Sequence, residues 1–138
     1  MALAADDARI DLLLADSYRF TVVNANQIFK GSIVGLDTAT GRVRTWADVA
    51  NLLVCGHAQE GGTGDAGGTV TVAVSTGARI LAKVACTGVT AITDVGTAVH
   101  ATDDNTLTLT PGSNAPAIGR VVAFHTGTTV DVLLTAMS

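Results

Sequence analysis

The chain has 138 residues, a length that points to one domain, or one domain with an arm, and is enough to bury a core without disulfides. It is 48% hydrophobic but only 4% aromatic and 14% charged, so any core is built from Val, Ala, Leu and Ile, and the abundance of Val and Thr favours strands over helices. The net charge of -4, with Arg42 and Arg44 the only closely spaced basic pair, argues against a phosphate-binding surface, and no nucleic-acid partner is expected.

The N-terminal residues read in two ways. Ala4–Leu14 fits a short helix with Asp6 as N-cap, and the alternation Arg9-Ile10-Asp11-Leu12 fits an extended arm lying on a neighbour. No basic n-region precedes an apolar stretch, and no apolar run approaches the roughly 18 residues of a membrane span. No membrane partner is expected. We place residues 1–19 as the arm and 20–138 as the folded domain.

Tyr18, Phe20 and Val22 alternate as a first strand, and Ile28–Lys30 and Ser32–Leu36 follow. Asp37-Thr38-Ala39-Thr40-Gly41 is a hairpin loop returning through Arg42–Trp46. Asp48–Leu53 is read as a helical turn and Leu53–Gln59 as a strand. The glycine-rich loop Glu60–Gly68 leads to Thr69–Ser75, with Val70, Val72 and Val74 inward, and Arg79–Ala85 comes next. Cys86–Asp94 is an irregular crossing. From Gly96 to the end, period-two runs are separated by turn signals at Asp103-Asp104-Asn105, Pro111-Gly112 and His125–Thr128. These predict an antiparallel meander. The expected fold class is all-β: a small antiparallel β-barrel or β-tulip domain of nine or ten strands, with an N-terminal arm.

Candidate chemistry is thin. Gly62-Thr63-Gly64-Asp65-Ala66-Gly67 matches the dinucleotide fingerprint in letters but runs into a strand, where that motif requires a helix N-terminus. Cys55 and Cys86 sit in apolar runs and read as buried thiols, with a disulfide as the alternative. A zinc site from Cys55, His57 and Cys86 would need neighbouring strands, with Cys55 and His57 sharing a face. His100 and His125 are isolated, and Asp103 and Asp104 read as turn-formers. No serine has an adjacent base. No catalytic residue, cofactor or metal site is expected, and the chain reads as a non-enzyme. Trp46 either caps the core or anchors an interface, and any of Tyr18, Phe20, Phe29 and Phe124 left exposed is a further anchor candidate.

Three segments carry a resemblance: Ile28–Asp37, Thr40–Asp48, and Asp94–Thr106, whose core is Asp94-Val95-Gly96 and Asp103-Asp104-Asn105. With the Val54–Gln59 strand and Ile118-Gly119-Arg120-Val121-Val122, they are similar, in order, to the head-decoration or capsid cement proteins of tailed bacteriophages. The resemblance spans roughly residues 20 to 135 and leaves out the arm. It implies a β-barrel or β-tulip, commonly trimeric, that binds the outer surface of the mature icosahedral capsid and bridges major capsid protein subunits. It carries no catalytic residues. The expected location is the virion, after synthesis in the host cytoplasm. Arg9, Ile10, Leu12, Tyr18 and Trp46 are the candidate capsid or subunit contacts. The rival from another class is a surface-displayed glycan-binding β-module, which exposed aromatics would favour. A third reading is a small metal protein or barrel enzyme on Cys55, His57 and Cys86.

Overall fold

The computed structural model describes residues 17–135. They form an all-β fold of twelve strands in chain order: β1 Ser17–Thr21, β2 Gln27–Ile28, β3 Ile33–Asp37, β4 Arg42–Thr45, β5 Leu52–Ala58, β6 Gly62–Thr63, β7 Thr71–Ser75, β8 Arg79–Thr87, β9 Ala98–Ala101, β10 Leu107–Thr108, β11 Gly119–Thr126 and β12 Thr129–Leu134. One 3₁₀ turn, Ile92–Asp94, interrupts the series. The expected arm residues 1–16, with Arg9, Ile10 and Leu12, lie outside the described residues. Ser17 to Arg19 already belong to β1.

The strands divide at Ser75 into two halves. The first is a five-stranded antiparallel sheet in the order β1-β7-β5-β3-β4. It curls until Val22, just past β1, bridges Val43 in β4, with the Val23 N–H donating to the Val43 carbonyl at 2.8 Å. Inside the curl lie Val22, Ile28, Val34, Val43, Cys55, Ala58, Val72 and Val74. Ile28 comes from the ribbon that β2 makes with β6, so part of the glycine-rich loop is a paired strand.

The second half is a closed barrel, β10-β8-β12-β11-β9. The expected meander is corrected here. β10 does not lie between β9 and β11; it flanks the other edge of β9 and pairs in parallel with β8, closing the barrel. Only two residues long, β10 leaves the chain free to return to β11 through Leu109–Ile118, which holds both prolines. The expected helical turn at Asp48–Leu53 is also absent. Asn51 instead takes φ +66° and its carbonyl accepts the Thr38 N–H at 3.0 Å.

The first sheet has two apolar faces. Ile33, Leu52 and Val54 point away from its own interior and join Trp46 with Val99, Ala101, Leu107, Val121, Val130 and Val132 of the barrel. A strand buried on both sides reads as an unbroken apolar run, as Ile33-Val34 and Val54-Cys55 do. Hydrogen bonds rivet this seam. Asp104 accepts the Ile33 N–H on its carbonyl at 2.8 Å and the Ser32 hydroxyl on its carboxylate at 3.1 Å. Asp48 accepts the Asn114 N–H at 2.6 Å, and Ala47 bridges Asp103.

Candidate functional site

Trp46 follows β4 and is 2% exposed, its indole N–H donating to the Ala101 carbonyl at 2.8 Å. It stands inside the fold and not on an outer face, because the chain leaving β4 turns into the seam, with the Trp46 N–H donating to the Ile33 carbonyl at 2.9 Å. Tyr18 on β1 is exposed, as is Phe29, the conditional anchor candidate; of the five contacts named first, Tyr18 alone is both described and at the surface.

The trio Cys55, His57 and Cys86 is not assembled. β5 carries a bulge: Val34 pairs with Gly56 and Gly35 with Val54, leaving Cys55 as the extra residue. The bulge reverses the alternation. Cys55 enters the core of the first half, while His57, opposite Ile33, faces the seam. Cys86 belongs to the other core, and both thiols are free. Burial raises the Cys55 thiol to about 11, and burial followed by the charge of Asp94 raises Cys86, so both stay protonated at neutral pH. No group of three His, Cys, Asp or Glu side chains able to hold a metal occurs among the described residues.

The other motifs have structural work. Asp65 accepts the Thr69 N–H at 2.8 Å and the Thr69 hydroxyl, closing the glycine loop ahead of β7. Asp103 accepts the Asn105 and Thr106 N–H groups at 2.9 and 2.7 Å, an Asx-type turn. The His100 ring meets the Ala115 carbonyl at 3.0 Å. His125 is tied to the barrel wall: its Nε2 lies 2.8 Å from Asp131 Oδ1, which also accepts the Lys83 N–H at 2.7 Å.

Two surfaces remain. The first is a cleft where the halves meet, made of two adjoining cavities of about 300 and 410 Å³ that share Gly31, Asp104 and Asn105. Its mouth holds Phe29, which is 60% exposed, and its wall holds His57, Leu81 and Val84. The sequence places Phe29 within a strand and makes it an anchor candidate only if exposed; it stands instead on the turn after β2. Asn105 carried no signal beyond its turn propensity. Burial, then the charge of Arg79, lowers the His57 pKa, with a Gly31 backbone hydrogen bond opposing the shift, so the ring is neutral at pH 7.

The second is the outer wall of the barrel. Ile80, Leu133 and Arg120 form a cross-strand row over β8, β12 and β11. Ile80 is 63% exposed, and Val122 on β11 is also exposed. The exposed Ile92 and Val95 adjoin this wall, since the Gly96 N–H donates to the Val121 carbonyl and Arg120 donates to the Gly96 carbonyl. Isolated apolar side chains at a surface are ordinary, whereas a contiguous patch of several hundred Å² is what marks an interaction site.

Comparison of the chain with protein-family models, with curated proteins and with solved structures gave no match. The likeness to decoration proteins therefore rests on the segments quoted from the sequence.

Proposed function

We propose that this chain is a non-enzymatic structural protein of a tailed-phage virion. In this reading it sits on the outer surface of the expanded head, as a homotrimer, and bridges neighbouring major capsid protein subunits. The observation that carries the reading is the ordered series of decoration-like segments between residues 20 and 135. The exposed Ile80, Val122, Ile92 and Val95, on an outer wall that also carries Leu133 and Arg120, supply apolar contacts for a partner in a chain with few charges.

The physics of the role is simple. A packed genome pushes capsid subunits apart, and a protein that spans two subunits opposes their separation. Binding the expanded lattice and not its precursor stabilises the expanded state by mass action. A site shared between subunits exists only after expansion, which gives selectivity. Several modest contacts around a trimer add avidity without one tight site.

The test is co-sedimentation with expanded, undecorated phage heads and with unexpanded procapsids. Saturable binding to expanded heads alone is expected, weakened at least tenfold by Ile80→Asp combined with Val122→Asp in a folded protein. Absence of binding to either particle overturns the proposal.

A further inference from the structure

The cleft between the halves gathers aromatic, ammonium, carboxylate and amide side chains, and the capsid contact proposed above, through the outer wall of the barrel, does not use it. Its parts come from separate elements. Phe29 and Lys30 stand on the turn between β2 and β3, where the Ser32 N–H donates to the Phe29 carbonyl at 3.1 Å. Gly31 takes φ +93° there, as the third position of a type II turn requires. Asp104 and Asn105 stand on the loop between β9 and β10. His57 and the apolar Ile33, Leu81, Val84 and Leu107 line the inner cavity.

We propose that this cleft binds a neutral saccharide of one or two sugar units. The aromatic ring of Phe29 offers a flat face with partial negative charge, suited to the C–H face of a pyranose. Beside it, the Asp104 carboxylate accepts hydrogen bonds and the Asn105 amide both donates and accepts, the pairing that vicinal hydroxyls require. The Asn105 amide makes no hydrogen bond to any described residue, so it is available. The loop is set before binding: Asp103 fixes its turn and Ser32 holds the Asp104 carboxylate at 3.1 Å. Such preorganisation lowers the entropy lost on binding. The cavities, at about 300 and 410 Å³, are at the small end of ligand-pocket sizes.

The same lining disfavours other ligands. Asp104 repels phosphates and carboxylates, and Lys30 is the only ammonium group in the lining. A wholly apolar ligand would strip water from Asp104 and Asn105 without replacing their hydrogen bonds. The proposal is independent of the capsid reading.

The test is ligand-detected saturation-transfer NMR with glucose, galactose, mannose, N-acetylglucosamine, cellobiose and chitobiose, followed by titration of the best binder. Phe29→Ala and Asn105→Ala change exposed side chains and are expected to leave the fold intact by circular dichroism. Each is expected to weaken binding at least tenfold, while Tyr18→Ala, the other exposed aromatic, leaves it unchanged. No binding by any of the six sugars overturns the proposal. So does binding that survives in both cleft variants, which would place the sugar elsewhere.

Discussion

Trp46 ties the two halves together through one side chain. It is the only tryptophan, and its ring lies between the two halves with its indole N–H on the Ala101 carbonyl, 55 positions along the chain. Replacing it separates two contributions. Trp46→Phe keeps an aromatic but leaves the buried carbonyl without a donor, which costs about 1–3 kcal/mol. Trp46→Ala also opens a cavity and costs about 3–5 kcal/mol. Urea unfolding midpoints rank the three proteins, with wild type highest and Ala lowest. Equal midpoints for Phe and wild type would mean that the indole hydrogen bond contributes nothing. Tyr18 is the contrasting case, since its exposed ring is not part of either core.

Among the elements, β5 is the most demanding, because a single bulge directs its side chains to two cores. Gly56, just past Cys55, lies against the neighbouring strand: a Cβ there would sit 2.0 Å from the Ser75 carbonyl oxygen. Gly56→Ala therefore forces β5 and β7 apart, at a cost of about 1–3 kcal/mol. Thermal unfolding is expected to show a Tm several degrees lower, and an unchanged Tm would show that the pair can separate freely. The all-β class, the hairpin at Asp37–Gly41 and the inward faces of β7 and β12 were legible, because Val72 and Val74, or Val130 and Val132, alternate without interruption. What escaped had physical reasons. A bulge inverts the face of every later residue in its strand, and the one letter in Leu52–Ala58 that signals it is Gly56, which a reading by simple alternation passes over. The placement of β10 is set by closure of the barrel against β8, a contact some twenty positions away that local turn signals do not encode. The cleft was invisible for the same reason, since Phe29 and Asn105 meet only when the halves dock.

At the scale of the whole molecule, acid acts in two stages. The His57 pKa is lowered by burial, by Arg79, and against the Gly31 hydrogen bond, so the unfolded chain takes up that proton more readily. The carboxylates of Asp65, Asp94, Asp103 and Asp131 are lowered as well, chiefly by the hydrogen bonds they accept from Thr69, Thr90, Asn105 and the Lys83 backbone. Both kinds of group give stability that is present above their unfolded pKa values and lost as pH falls through the folded ones. The urea midpoint is expected to hold steady above about pH 6.5, decline below it, and decline more steeply below about pH 4. His57→Gln removes the upper step, and a midpoint that stays level to pH 4 in wild type would refute the assignment. The division at Ser75 also bears on synthesis. Every strand of the first half precedes every strand of the barrel, so a chain leaving the ribosome presents all the strands of the curled sheet before β8 follows. Until the barrel follows, the face with Ile33, Leu52, Val54 and Trp46 is bare apolar surface. At a few to some twenty residues per second the remaining sixty or so positions leave it uncovered for seconds, the interval in which a chaperone or a second nascent copy competes with the chain's own C-terminal half.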